Sequence, residues 1–142
     1  MNKLIRFLAV GLGTGLIPKS PGTAGSAAAL VIAYFYSFNF WQLIILCIMG
    51  VFICAYGEKY LQKQDDPRIV FDEFCGMFIA AWQLTDPFLL VIAFLLFRFF
   101  DIVKPLFIFK LQALPGGWGI MADDIAAGIA ARVLLGIIMG IW

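Results

Sequence analysis

The stretch Trp41-Gln42-Leu43-Ile44-Ile45-Leu46-Cys47-Ile48-Met49-Gly50-Val51-Phe52-Ile53-Cys54-Ala55-Tyr56-Gly57 contains no charged side chain. Working outward, further apolar segments lie at 24–38, 69–84, 88–100 and 119–142. They are separated by Ser37-Phe38-Asn39, a charged stretch at 58–68, Thr85-Asp86-Pro87 and a mixed stretch at 101–118. Sixty-three per cent of the residues are hydrophobic and 13% charged, about half the charged fraction of a soluble domain. A chain of 142 residues has too little interior to hide that much apolar surface, so lipid must be the solvent for much of it. A full crossing needs about 20 apolar residues at 1.5 Å each, and several segments fall short. The expected fold is all-α: a compact multi-pass transmembrane helical bundle of about four to five membrane segments, some short or re-entrant. With no internal repeat or linker, residues 1–142 form one domain.

Charge gives an orientation. With the N-terminus inside and a crossing at each segment, Lys3, Arg6, Lys19, Lys59, Lys63, Arg68, Lys104 and Lys110 all face the cytoplasm, and Arg98 lies near that side. The turns at 37–40 and 85–87 carry no Lys or Arg, a positive-inside pattern. Trp41, Trp82 and Trp142 fall at outer segment ends, where an aromatic belt or packing alone accounts for them. Gly11, Gly13 and Gly15 interrupt the apolar residues after Lys3 and Arg6, which argues against a signal peptide. A net charge of +1 gives no case for nucleic-acid binding.

The chain has no histidine, which removes most zinc sites and all histidine acid–base chemistry. Cys47, Cys54 and Cys75 form no CxxC pair, and Cys47 and Cys54, in an apolar run, read as packing residues. Six positions beyond them stand Ile53, Tyr60 and Ala81, so there is no C-x5-R phosphatase motif; D-x-D is absent too.

The same orientation brings five carboxylates to one depth. Asp72 and Glu73 start the third segment, Asp101 ends the fourth, and Asp123 and Asp124 start the fifth. A lone carboxylate deep in a bilayer costs about 2.5–3.5 kcal/mol, so five must be hydrated, paired or bound to a cation. Helix-end acids at the water interface are the plainer reading. A shared site of oxygen ligands suits Mg²⁺ or Mn²⁺. Gly76 lies four residues after Asp72, and Gly128 four after Asp124; each leaves room for a neighbouring helix, ion or substrate. Arg98, Asp101 and Lys104 share a helical face before Pro105 stops the helix. That face is either an intrahelical ion pair or a phosphate cradle beside a metal. Arg132 lies on the face of Asp124. From Gly13 the chain approaches a P-loop, but Pro18 replaces a required glycine. The loop still opens onto a helix that Thr23 or Ser26 would cap, offering amides to a phosphate; a simple turn with small packing residues is the other reading.

The motifs Pro21-Gly22-Thr23 with Gly25-Ser26, Ile69-Val70-Phe71-Asp72-Glu73 with Gly76-Met77, Phe97-Arg98 with Asp101, Lys104-Pro105, Gly116-Gly117, and Gly119-Ile120-Met121-Ala122-Asp123-Asp124 with Ala127-Gly128 occur in that order. Over nearly its whole length the chain resembles the phosphatidylglycerophosphatase A family of bacterial membranes. The resemblance implies a Mg²⁺-dependent lipid phosphatase of the bacterial inner membrane, its active site facing the cytoplasm. The reaction expected is hydrolysis of phosphatidylglycerol phosphate to phosphatidylglycerol and phosphate. On this reading Asp72, Asp101, Asp123 and Asp124 form the metal shell, with Glu73 a ligand or general base. Arg98 and Lys104, with Thr23 and Ser26, hold the phosphate. Water or an aspartate is the nucleophile. Lys19, Ser20 and Arg132 match no family position. A small channel or transporter subunit with a carboxylate cation site is the competing class, and it would distribute its acids through the bilayer depth. The D-G…A-R…G…D…D spacing of CDP-alcohol phosphotransferases is missing. Oligomeric state is not legible.

Overall fold

The turn signals become helix caps. The Asn39 side chain accepts from the amide of Gln42 at 2.9 Å, and the Gln42 side chain accepts from the Asn39 amide at 2.9 Å; this reciprocal box starts a long helix. Asp86 accepts from the amides of Phe88 and Leu89, with Pro87 in the first helical position. The computed structural model describes residues 2–140, so Trp142 lies outside the described residues.

The order is α1 (Asn2–Ala9), a 3-10 turn (Gly11–Leu16), α2 (Pro21–Phe35), α3 (Phe40–Leu61), α4 (Phe71–Ala80), α5 (Pro87–Val103), α6 (Leu106–Leu111) and α7 (Gly117–Met139). Among the described residues there is no strand. The all-α expectation stands. Neither α1 nor α6 was expected; α6 lies inside the mixed stretch 101–118. The expected cap of α2 is corrected. The helix already begins at Pro21, so Thr23 and Ser26 lie inside it.

Length and apolarity mark one described helix, α3, as able to cross a membrane by itself, with a mean hydropathy of 2.1; α2 is a shorter apolar helix. The ten residues of α4 rise only about 15 Å, half of a hydrocarbon core. In α7, Asp123, Asp124 and Arg132 interrupt the apolar run. The exterior is nonetheless strongly apolar: Phe35 is 79% exposed, Phe52 71% and Leu106 82%. Side chains of that size turned outward, together with α3, mark a membrane protein.

The core lies where α4 is enclosed by α2, α3, α5 and α7. Val70, Phe74, Met77, Leu90, Phe97 and Leu135 are buried there. At one end of the bundle the ring of Phe40 meets that of Trp82, and the Arg132 Nε donates to the Trp82 carbonyl at 2.9 Å. At the other end, Gln112 donates to Asp65 at 2.9 Å, tying the loop before α4 to the one before α7.

Candidate active site

The site is built on the crossing of α4 and α7. A Cβ on Gly76 would fall 2.7 Å from the Asp124 carbonyl oxygen, and one on Gly128 would fall 3.1 Å from the Gly76 carbonyl carbon. Only glycine allows the two backbones so near. Asp72 and Asp124 each stand one turn before their glycine, so the crossing delivers both carboxylates to one point. Glu73 joins them. Asp72, Glu73 and Asp124 each offer a carboxylate oxygen within 4.8 Å of the others.

Burial raises the stakes. Asp72 is 7% exposed and Asp124 3%. Asp72 Oδ1, Glu73 Oε2 and Asp124 Oδ2 are buried with no hydrogen-bond partner in the protein, an arrangement that costs several kcal/mol per charge unless something compensates it. A divalent cation would do so with the right chemistry. Ligand oxygens about 2.1 Å from Mg²⁺ stand at most about 4.2 Å apart, close to the span observed. The oxygen-only donor set fits Mg²⁺ or Mn²⁺.

The remaining predicted residues surround this group in two ion pairs. Arg98 Nη1 donates to Asp101, and both side chains are mostly buried. Lys104 Nζ reaches Asp123 Oδ2 at 2.6 Å, while Asp123 Oδ1 accepts from the Asp124 amide at 3.0 Å. Asp101 lies beside Asp124, which links the Arg98 pair to the three carboxylates. Asp123 itself is turned to Lys104. The face proposed for Arg98, Asp101 and Lys104 therefore divides. Lys104 is not the next helical residue but the left-handed cap of α5, at φ 45°, so its side chain departs from the helical register and reaches α7.

The start of α2 closes the site. A Cβ on Gly22 would fall 2.3 Å from Glu73 Oε1 and 3.5 Å from Arg98 Nη1, so the Pro-Gly start admits the acid against the helix N-terminus, where its charge is favoured. Ser26 is fully buried; it donates to the Gly22 carbonyl at 2.8 Å and accepts from Arg98 Nη1 at 3.4 Å. Thr23 is exposed. Asp72 and Glu73 do occupy the first turn of α4, as the helix-end reading requires. Asp123 and Asp124 do not: α7 begins at Gly117, more than a turn earlier, and the favourable dipole effect fades within the first turn.

Three features were not read from the sequence. They are the contact of Gly22 with Glu73, the Lys104–Asp123 pair across 19 positions, and a bidentate clamp in which Arg68 grips Asp66 through two contacts of 2.9 Å. The clamp had a local signal, since only Pro67 separates the partners. Lys104–Asp123 had none beyond shared depth.

The Phosphatidylglycerophosphatase A family model matches residues 7–139. The chain is 41% identical to the phosphatidylglycerophosphatase A of Escherichia coli (strain K12), an alignment covering all of this chain and 87% of that protein. It is 37% identical to the phosphatidylglycerophosphatase A of Haemophilus influenzae, over 92% of this chain and 86% of the other. A Bacteroides thetaiotaomicron protein, provisionally named a phosphatidylinositol-3-phosphatase, is 33% identical over 92% and 91%. No solved structure matches. Carrying the family's match over almost its full length, this chain belongs to the phosphatidylglycerophosphatase A family.

Proposed function

We propose that the protein removes the terminal phosphate of phosphatidylglycerol phosphate, giving phosphatidylglycerol and inorganic phosphate. The observation that carries this reading is the meeting of three carboxylates, each with a buried, unpartnered oxygen, beside Arg98. Two relatives are named for the same lipid. The third is named for a different lipid phosphate, and phosphate ester hydrolysis on a lipid is the chemistry the names share.

Asp72, Glu73 and Asp124 would hold Mg²⁺, or Mn²⁺ in its place, with Asp101 and Asp123 completing its surroundings. A divalent cation supplies charge neutralisation at a phosphoryl oxygen and acidifies water. The residues of the chain do the rest. Arg98 presents a fork of donors to the equatorial phosphoryl oxygens, the atoms that carry transition-state charge. Asp101 and Ser26 fix the direction of that fork. Lys104 balances Asp123 and adds positive charge at the rim. Glu73, against the N-terminus of α2, serves as a ligand or accepts the proton of the attacking water. An aspartate nucleophile would use the same residues.

The chain would lie in the bacterial inner membrane with this end toward the cytoplasm, where Lys3, Arg6, Lys59, Lys63, Arg68 and Lys110 gather. Four to five segments would meet the bilayer, α4 only part-way. The gathering of acids at one end disfavours the channel reading, which requires them along the depth. The deciding measurement is phosphate release by purified protein from phosphatidylglycerol phosphate in detergent micelles. Release should require Mg²⁺ or Mn²⁺ and stop in EDTA. Full turnover after exhaustive chelation would refute the metal, and no turnover with either ion would refute the reaction.

A further inference from the structure

A second charged feature lies outside the carboxylate site. Between α1 and the end of α3 runs an open groove of about 600 Å³, lined by Lys3, Arg6, Phe7, Leu16, Tyr60 and Arg68 among others. None of the carboxylate-site residues lines it. Its charge is unbalanced. Arg68 is neutralised by Asp66, but among the described residues no acidic side chain pairs with Lys3 or Arg6. Arg6 is held in place rather than loose: Nη1 donates to the Tyr60 hydroxyl at 2.7 Å, and the guanidinium lies 4.9 Å from that ring's centroid.

The rest of the wall is largely apolar. Phe7, 49% exposed, and Leu16, 64% exposed, line the groove together with Ala9, Val10 and Leu61. Cations and exposed apolar side chains lining one groove describe a ligand with an anionic head and hydrocarbon tails. A nucleic acid or an acidic peptide would leave the apolar side chains unsatisfied. We propose that this groove is a second lipid site, holding the phosphate of an anionic glycerophospholipid between Lys3 and Arg6 with its chains along Phe7 and Leu16. Two juxtaposed cations at a membrane surface favour an anionic headgroup by about tenfold or more. The amide of Val70 donates to the Ala9 carbonyl at 2.9 Å, so α1 is fastened to the chain just before Asp72.

The test uses native mass spectrometry of the full chain in detergent, titrated with phosphatidylserine or with zwitterionic phosphatidylcholine. Phosphatidylserine is neither substrate nor product of the proposed hydrolysis. It should be retained at least about tenfold more tightly than phosphatidylcholine. Lys3→Gln with Arg6→Gln should abolish that preference, and Lys3→Arg with Arg6→Lys should keep it. Asp124→Asn should leave it intact, which separates this site from the carboxylate site and from the reading of the reaction. A thermal unfolding midpoint for each variant identifies any that fails to fold, and in that case Lys3→Gln alone must halve the preference or more. Equal retention of the two lipids overturns the proposal, as does a preference untouched by the glutamine variants. Loss of the preference in Asp124→Asn would assign the lipid to the carboxylates. Displacement by excess inorganic phosphate would assign the groove to free phosphate. Either outcome also overturns it.

Discussion

A Cβ on Gly128 would stand 2.3 Å from the carbonyl oxygen of Gly76. The two helices touch backbone to backbone at this point and run in the same direction. Asp72 and Asp124 meet because each precedes its glycine by four residues on those touching faces.

Gly128→Ala must therefore push α7 off α4. Overpacking of this kind costs about 1–3 kcal/mol, and a shift of about 1 Å at the carboxylates costs about a hundredfold in rate. Phosphate release should fall by that order and the thermal midpoint in detergent should drop. Normal values of both would mean that the crossing is looser than the structure has it.

Asp72→Asn and Asp124→Asn each keep volume and remove the charge that a cation requires. Each variant should fold and lose at least about a hundredfold in turnover, some 2.7 kcal/mol of transition-state stabilisation. Asp86→Asn is the control. Asp86 caps α5 at the opposite end of its helix from Asp101, and asparagine caps equally well, so turnover should stay near normal. Loss in the control with activity kept in the other two would move the site to the other end of the bundle.

Arg98→Lys replaces a fork by a point charge. The ammonium keeps the attraction to Asp101 but no longer reaches both Asp101 and a phosphoryl oxygen in fixed geometry. We expect kcat to fall more than KM rises, at least about tenfold. A variant with unchanged kcat would remove Arg98 from the phosphate.

Asp66 gives a dependence on pH away from the site. Its carboxyl is held at about 2 by the hydrogen bonds and charge of Arg68, below an unfolded value of about 3.9. A depressed carboxyl stabilises the fold above its unfolded value, and that contribution is lost as pH falls through the folded one. Asp66→Asn should lower the thermal midpoint at neutral pH. The gap from the parent protein should close as pH is taken from about 4 towards about 2. A gap that does not change with pH would show that the clamp acts by shape alone.

Local chemistry carried most of what was legible in the sequence. The stretches Ser37-Phe38-Asn39 and Thr85-Asp86-Pro87 marked turns, where Asn39 and Asp86 go on to cap helices, and Pro105 marked a helix end because proline cannot continue one. The carboxylates were found through depth, a quantity that charge bias along the chain reports. The glycines four residues on were found through helical period. Partner choice was harder. Spacing put Lys104 on the face of Asp101, yet one left-handed residue redirected it to Asp123. Arg132 shared a face with Asp124 by spacing, and spacing said nothing of the bond its Nε makes to the carbonyl at the end of α4. Helical period has no information once the backbone leaves the helix, nor about which neighbouring element ends within reach. The short α1 and α6 were missed for a related reason: eight and six residues are too few to show a period, and tertiary packing rather than propensity holds helices so short.

The backbone at Lys104 places the protein under two opposed selections. A left-handed residue that is not glycine is a local loss in stability, and here it is the one that aims an ammonium at Asp123. A laboratory lineage selected only for heat resistance would drift toward glycine at this position and relax the turn. A lineage selected for turnover of the proposed reaction would restore lysine. The residue at position 104 thus records which of the two demands a population has met.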